Sequence, residues 1–461
     1  MGIKLITRYI GKTAEGGGML LSGKRAFFIL MTVLAALLLL SGCYSIIAEE
    51  LYSLPQASDE YLKLQVRIDG VLAKGAEYSP PTGGEQRQSV HLVDIDGDGV
   101  NEAVAFFVAR TEDNPLKIYI FRTDGDEYEV ADIIEGVGTG IESIRYVDMD
   151  RDGTLELIVG WQISSGVKNV ALYSLRSFQN IKIAQADYTV LTVFDVTGDG
   201  LSDLCVVRVA TAELPGVLEA FSFMPDGEVV SSAVYLSEGI ESVSKLVTGK
   251  LSDGTPALFI DGKVAEGTIT DVICQTDGVL RNIARSSTDE PVAPRVLAVS
   301  TADIDGDGVT DVPFPNPLPQ QTDTVYYSID WYSYSSAGNR KIVTATYHNY
   351  SDEWYITLPK AWSGHLTVRR EDFVRGERSV VFSLIDSETE EMADVLRIYK
   401  LQGDNRFERA RLSGRFSLLE AGETIYAAAL YEPGEGFPGI PAREDIVNGF
   451  RLIYSDWMTG S

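Results

Sequence analysis

The chain has 461 residues, 45% of them hydrophobic and 10% aromatic, which is typical of a folded protein and long enough for one large or two to three ordinary domains. Its formal net charge of −28 argues against nucleic acid as a partner, because phosphate would be repelled rather than neutralised. The charge fits binding of divalent cations, or simply solubility.

The N-terminal segment has the pattern of an exported lipoprotein. Lys24 and Arg25 precede an apolar run at 26–40, which is shorter than the ~20 residues that a spanning helix needs. The run closes in Leu-Ser-Gly-Cys, which resembles a bacterial lipobox with Cys43 as the diacylated residue. An ordinary signal anchor with a chance cysteine is the alternative.

We therefore expect residues 1–42 to be a signal peptide, with Met19 as an alternative start, and 43–60 to be a linker. The protein would be exported and anchored to the membrane through Cys43. It would lie on the outer face of the bacterial cell membrane, or in the periplasm or outer membrane of a cell with two membranes.

Four stretches repeat a cluster of acids and glycines: VDIDGDGVNE at 93–102, VDMDRDGTLE at 147–156, FDVTGDGLSD at 194–203 and ADIDGDGVTD at 302–311. Their first aspartates are 54, 47 and 108 residues apart, and the last interval is twice 54. At its midpoint Asp253-Gly254 keeps part of the motif, so the chain has five copies, the fourth decayed. A period of about 50 residues is typical of a four-stranded propeller blade.

We number the nine-residue loops that begin at residues 94, 148, 195, 249 and 303 as the first to fifth loops, with positions 1 to 9 in each. Alternating and β-branched runs bounded by Asp/Gly turns flank the loops and predict strands. The sequence thus predicts an all-β protein, a β-propeller of seven four-stranded blades, with six or eight as alternatives. Pairing of N- and C-terminal strands would close it and remove exposed sheet edges.

The propeller is expected to span 61–431, with metal-loop blades at about 90–315 and blades without the motif up to 431. The segment 61–78 resembles an outer hairpin, and 365–412 a sixth blade. Residues 347–364 have the character of an insertion, and 432–461 of a C-terminal appendage with one short helix near 443–448.

The first loop has the oxygen ligands of a calcium site. Asp94, Asp96 and Asp98 occupy positions 1, 3 and 5, Val100 can offer its carbonyl at position 7, and Glu102 stands at position 9. Ca²⁺ takes six to eight oxygens at about 2.3–2.6 Å, and an EF-hand is the rival that shares this pattern. An EF-hand needs Glu at position 12 and flanking helices. Position 12 is Ala, Val, Val and Phe in the four intact copies, and strands flank the loops, which excludes it.

The pattern D-x-D-x-D-G-x-x-D/E between strands resembles the FG-GAP/VCBS repeat of integrin α-subunit-like propellers. The resemblance implies about three to four calcium sites, each with side chains from positions 1, 3, 5 and 9 and the carbonyl of position 7. Beyond the first loop, these positions are Asp148, Asp150, Asp152, Thr154 and Glu156; Asp195, Thr197, Asp199, Leu201 and Asp203; and Asp303, Asp305, Asp307, Val309 and Asp311. Thr197 at position 3 weakens the third site, and Gly249, Leu251 and Ala257 make the fourth doubtful.

No catalytic motif accompanies the loops, and only three histidines are present. We expect a monomeric protein that is not an enzyme and that serves as a protein- or ligand-binding scaffold. A carbohydrate-binding lectin and, less favoured, a hydrolase using rim carboxylates are the alternatives. Trp331 and Trp354 lie in an aromatic-rich stretch and are candidates for stacking a glycan or peptide, with packing between blades as the alternative. Cys205 and Cys274 stand in apolar runs and are expected to be buried free thiols.

Overall fold

The computed structural model describes residues 59–453 except 126, 225–226, 287–293, 320–323 and 387–388. The predicted signal peptide, Cys43 and nearly all of the linker therefore lie outside the described residues. Within the described ranges, no helix is both long enough and apolar enough to cross a membrane.

Six antiparallel sheets follow one another along the chain. The first contains β1 Glu77–Tyr78, β2 Val90–Val93, β3 Glu102–Val108, β4 Leu116–Asp124 and β5 Glu127–Gly136. The second contains β6 Gly140–Val147, β7 Glu156–Ser164, β8 Val167–Ser174 and β9 Ile181–Tyr188; the third contains β10 Val190–Phe194, β11 Asp203–Arg208, β12 Val217–Phe223 and β13 Val229–Tyr235.

The fourth sheet contains β14 Ser242–Lys250, β15 Pro256–Val264, β16 Gly267–Thr276 and β17 Val279–Asn282. The fifth contains β18 Val312–Pro317, β19 Tyr327–Tyr334, β20 Arg340–Asn349, β21 Trp354–Leu358 and β27 Phe450–Leu452. The sixth contains β22 Leu366–Val374, β23 Glu377–Ile385, β24 Met392–Gln402, β25 Arg415–Ala421 and β26 Thr424–Leu430. Four α-helices join them, α1 Asp59–Leu72, α2 Ile283–Ser286, α3 Arg406–Ala410 and α4 Arg443–Gly449, with 3₁₀ turns at Arg176–Phe178 and Lys360–Trp362.

Consecutive sheets pack against each other through shared hydrophobic clusters. Between the first two sheets, for example, Ile95 at loop position 2 is buried with Phe106 and Trp161. Position 2 is also buried in the second and third loops, at Met149 and Val196, so the loops are fastened to the core by their second residue. This arrangement of repeated antiparallel sheets is compatible with a β-propeller.

The structure does not confirm the expected blade count and closure. Six sheets are described rather than seven, six being one of the alternatives, and no N-terminal strand pairs with a C-terminal strand within the described residues. Residues 59–72 form α1 instead of a hairpin, with Leu64, Ile68 and Val71 packed against the first sheet. Their spacing of four and three residues is helical, so the apolar periodicity of this segment was the missed signal.

The C-terminal third also differs from the expectation. Strands β25 and β26 join the sixth sheet, where β26 pairs directly with β24. Residues 406–410 lie within the expected sixth blade but form α3, because Arg-Phe-Glu-Arg-Ala favours helix over strand. The expected insertion at 347–364 supplies the end of β20 and all of β21. The predicted short helix near 443–448 is confirmed as α4, and β27 after it adds a strand to the fifth sheet.

Candidate metal centre

Antiparallel pairing of the residues on the two sides of each acidic loop fixes both of its ends. The first, second and third loops connect β2 to β3, β6 to β7 and β10 to β11. The fifth loop is closed by an isolated bridge between Ala302 and Asp311 just before β18. In each case the position-9 acid pairs across the loop with the residue that precedes position 1, so the antiparallel register sets the loop length.

The carboxylate at position 1 organises the turn from inside. Asp94 accepts hydrogen bonds from the amides of Gly97 and Gly99, both at 2.9 Å. The third and fifth loops repeat both contacts at 2.6–2.9 Å. Gly99 has a φ of 89°, so the position-6 glycine is needed for the bend that brings its amide to the carboxylate.

The position-9 carboxylate is buried, and in three of the loops only one of its two oxygens has a hydrogen-bond partner within the described ranges. One of its oxygens accepts the position-2 amide, at 2.8 Å from Ile95 to Glu102 and at 2.8–3.4 Å in the second, third and fifth loops. The other oxygen of Glu156, Asp203 and Asp311 is buried and has no hydrogen-bond partner among the described residues. A buried carboxylate oxygen without a donor is costly unless a cation meets it.

Three loops bring such oxygens together. One carboxylate oxygen from each of positions 1, 3 and 9 lies within 4.8 Å of the other two in the first, second and fifth loops. These groups are Asp94, Asp96 and Glu102; Asp148, Asp150 and Glu156; and Asp303, Asp305 and Asp311. They could hold a metal ion, and the unpartnered oxygens of Glu156 and Asp311 show that the residues fit one.

Positions 5 and 7 are linked to each other. The position-7 amide donates to the position-5 carboxylate at 2.7–2.8 Å in the first, second, third and fifth loops, and these pairs are Asp98 and Val100, Asp152 and Thr154, Asp199 and Leu201, and Asp307 and Val309. The structure therefore groups positions 1, 3 and 9 most closely, with position 5 held at the loop rim by its own backbone.

Several acids of the loops have raised pKa values. Burial, with the neighbouring aspartates of each loop adding to it, raises the pKa of Glu156 and of Asp311 to about 7. Burial also raises the pKa of Glu102, of Asp203 and of Asp305. Carboxylates that resist ionisation in this way are stabilised by a bound cation.

The third loop lacks the close grouping. Thr197 replaces the position-3 acid, and its hydroxyl lies 3.4 Å from Asp195 as a donor. Its amide also bonds Asp203, at 3.1 Å. The loop keeps three carboxylates, Asp195, Asp199 and Asp203, but among the described residues they do not form the close group of three oxygens seen in the first, second and fifth loops, so it is a poorer set of ligands.

In the fourth loop, hydrogen-bond donors of the protein surround the one remaining aspartate. Asp253 accepts hydrogen bonds from the amide and hydroxyl of Ser336, at 2.8 and 2.7 Å, and from the amide of Thr255 at 3.2 Å. Burial opposes ionisation here, but these bonds outweigh it and lower the pKa of Asp253 to about 2. At position 1, a Cβ on Gly249 would lie 2.0 Å from the Thr310 hydroxyl, so no aspartate fits there.

Successive loops are bonded to one another, which the sequence analysis did not anticipate. The position-8 amide of one loop donates to the position-2 carbonyl of the loop before it: Leu155 to Ile95 at 2.8 Å, Ser202 to Met149 at 3.3 Å and Thr310 to Lys250 at 3.0 Å. The fourth loop has Pro256 at position 8, which has no amide hydrogen to donate. In the sequence, this proline indicates that the hydrogen bond from the fourth loop to the third cannot form.

The predicted stacking residues lie in the core instead. Trp331 is 0% exposed and its indole nitrogen donates to the Thr346 hydroxyl at 2.8 Å, and Trp354 is 1% exposed. Neither ring offers a face to a glycan or peptide, so the packing alternative replaces the stacking hypothesis. His91, which precedes the first loop, is buried between Phe106 and Tyr146. Cys205 and Cys274 are confirmed as buried free cysteines.

Comparison with known proteins gives no family. No protein-family model and no curated protein matches the chain. Solved structures similar to it include a protein from Lactobacillus plantarum, with 10% identity, 68% of this chain and 85% of that chain covered, and a TM-score of 0.29. A periplasmic gluconolactonase of Pseudomonas aeruginosa (11%, 77% and 99%, 0.28) and an exotype rhamnogalacturonan lyase (11%, 76% and 83%, 0.29) are also similar.

Two of these three structures are named as enzymes, and the prediction that the chain is not an enzyme is contradicted by them. We withdraw it. At 10–11% identity and TM-scores of 0.28–0.29, the names assign neither a reaction nor a residue to this chain.

Proposed function

We propose that the protein is a calcium-binding β-propeller of the FG-GAP/VCBS type, which holds Ca²⁺ in the first, second and fifth loops. The observation that carries the proposal is the buried position-9 carboxylate of the second and fifth loops, one oxygen of which is bonded to the loop backbone while the other has no partner within the described residues. The first loop has the same grouping of carboxylate oxygens. Only a cation at the loop centre would satisfy that oxygen and neutralise the surrounding acids at the same time.

The donor set favours calcium over other metals. All clustered ligands are carboxylates, and the described clusters contain neither histidine nor cysteine, which zinc and copper sites use. Mg²⁺ demands near-ideal octahedral geometry and keeps several waters, whereas Ca²⁺ accepts six to eight oxygens in a flexible arrangement. When bound, Ca²⁺ would draw on positions 1, 3, 5 and 9, with the position-7 carbonyl as a further oxygen. The third loop is proposed as a weaker fourth site.

The site would work outside the cell. Extracellular calcium modules bind with dissociation constants of roughly 10⁻⁴–10⁻³ M, which suits exposed, acid-rich loops. The basic residues and the apolar run before Cys43 support export and lipid anchoring at the outer face of the cell membrane, with a linker between the lipid and the folded part. Calcium would then keep the successive sheets in register at a location where the ion is plentiful.

We further propose that the loop edge presents a ligand-binding surface, so that the protein acts as an anchored binding or scaffolding module. A cleft of about 330 Å³ adjoins the fifth loop and is lined in part by Asp307, Val309, Arg340 and Lys341. It combines a candidate metal loop with two basic side chains, which suits a ligand carrying anionic groups.

Calcium titration of the EDTA-stripped protein by isothermal calorimetry, followed by thermal unfolding, tests the proposal. We expect about three bound ions per chain and a melting temperature that rises with calcium, since a ligand at 100 times its dissociation constant adds about 2.7 kcal/mol per site. Magnesium at equal concentration should give a smaller rise. No heat of binding and no calcium-dependent melting temperature would overturn the proposal.

A further inference from the structure

One arginine lies on the proposed ligands of the second loop. Arg176 follows β8 and begins the 3₁₀ turn Arg176–Phe178. Its guanidinium is bonded to the Asp150 carboxylate, and its Nε lies 2.6 Å from Oδ2 of Asp152. Arg176 thus contacts positions 3 and 5 of the same loop at once.

The oxygens that Arg176 takes are those that a metal would need. The Oδ1 atoms of Asp150 and Asp152 already accept backbone amides of their own loop, at 3.2 and 2.7 Å. The guanidinium bonds the Oδ2 atom of each. Both carboxylates are therefore fully engaged while Arg176 is in place.

The first and fifth loops differ in this respect. They repeat the amide contacts to positions 3 and 5, at 2.7–3.3 Å. Across the described part of the chain, however, no Lys, Arg or His side chain forms an ion pair with Asp96, Asp98, Asp305 or Asp307. The nearby Arg122 is bound by Glu129 instead, at 2.8 and 3.0 Å.

We propose that Arg176 is a resident cation of the second loop, which Ca²⁺ must displace and which sets the affinity of that site below those of the first and fifth loops. The inference rests on the proposed calcium function. Displacement is feasible because the Arg176 side chain is 49% exposed and can turn into solvent, while Asp150 is 8% exposed and stays in the loop. The ring of Phe178 under Arg122, 5.4 Å from its guanidinium, fixes the turn that delivers Arg176.

The protein would then fill its loops in order. The first and fifth loops bind calcium at low concentration, and the second loop binds only when calcium is high enough to expel the guanidinium. Removing this two-pronged, half-exposed charge pair should therefore tighten the second site about tenfold, which corresponds to about 1.4 kcal/mol.

The test is calcium calorimetry on the wild type, Arg176→Gln and Lys182→Gln. Lys182 is on β9 of the same sheet and bonds Gln185, so its removal controls for the loss of one positive charge. The wild type should show two tight sites at the first and fifth loops and weaker binding at the second and third loops, and Asp152→Asn should remove the second-loop site. Arg176→Gln should tighten the second-loop site about tenfold and leave the tight pair unchanged, while Lys182→Gln should change any site by less than about twofold.

The outcomes separate the two proposals. Absence of calcium binding in the wild type would overturn the proposed function itself. Calcium binding with an unchanged or weaker second site in Arg176→Gln would overturn the role of Arg176 alone. Should Arg176→Gln fail to fold, Arg176→Lys keeps the charge and loses the two-pronged contact. In that variant a tighter second site supports the inference, and an unchanged one refutes it.

Discussion

The substitution Asp311→Asn should change stability in opposite directions with and without calcium. Asp311 is 1% exposed, accepts the Ile304 amide through Oδ2, and has a buried Oδ1 with no partner among the described residues. Asparagine keeps the acceptor for Ile304 and removes the charge. In EDTA at pH 8 the variant should therefore be more stable than the wild type, by about 1–3 kcal/mol, because it no longer holds an ionised carboxylate that is buried beside Asp303, Asp305 and Asp307.

In calcium the advantage should vanish. Calcium at 100 times the dissociation constant stabilises the wild type by about 2.7 kcal/mol for each site. The variant lacks the fifth-loop site and should therefore be stabilised by about 2.7 kcal/mol less. Urea unfolding followed by tryptophan fluorescence, in EDTA and in saturating calcium, measures both differences. The prediction is wrong if the variant is less stable than the wild type in EDTA, or if calcium stabilises the variant as much as it stabilises the wild type.

Asp253→Asn in the fourth loop is the matched control. Its carboxylate is satisfied by Ser336 and Thr255 rather than by a metal. We expect a loss of about 1–2 kcal/mol in both conditions, with the gain from calcium unchanged.

Three further predictions concern packing and pH. Leu155→Pro removes the amide that reaches Ile95 and should cost about 1–3 kcal/mol in urea unfolding, whereas Pro256→Ala, where no such bond exists, should be close to neutral. Trp331→Ala should lower stability by about 3–5 kcal/mol, because the ring is fully buried; unchanged urea midpoints would contradict its place in the core. Burial lowers the pKa of His348 to about 3, so its neutral form contributes stability above pH 6.5 that is lost as the pH falls toward 3. In EDTA, His348→Gln should show a shallower loss between pH 6.5 and 5 than the wild type, by up to about 1.4 kcal/mol per pH unit, and equal slopes would contradict this.

The loops were the part of the molecule that the sequence predicted best. Their acids, glycines and flanking strands are local in the chain, and the position-9 acids begin β3, β7 and β11. The apolar residues at position 2 are buried at Ile95, Met149 and Val196 and half-buried at Ile304.

The chain ends were predicted poorly because their structure depends on distant partners. Strand β26 pairs with β24, and β25 pairs with β26, rather than with an N-terminal strand. The alternating pattern of these strands does not indicate which strand they pair with. For α1 the signal was present, since Leu64, Ile68 and Val71 follow a helical period. Trp331 alternates inward with Ile329 along β19, so strand geometry rather than residue type decides its burial.

The contacts that tune the loops could not be found from the sequence. Ser336 is 83 residues from the Asp253 that it satisfies, and Arg176 is 26 residues from Asp150. In a sequence, a serine in a turn or an arginine after a strand is an ordinary surface residue. Only the pairing of strands shows that these side chains reach an acidic loop.

The most direct test of the account is a crystal structure of the protein grown in calcium, with anomalous scattering used to locate the ion. The account predicts peaks at the centres of the first, second and fifth loops, within about 2.3–2.6 Å of the position-1, position-3 and position-9 carboxylates, and none in the fourth loop. Loops without peaks at saturating calcium, or a peak beside Asp253 in the fourth loop, would contradict it.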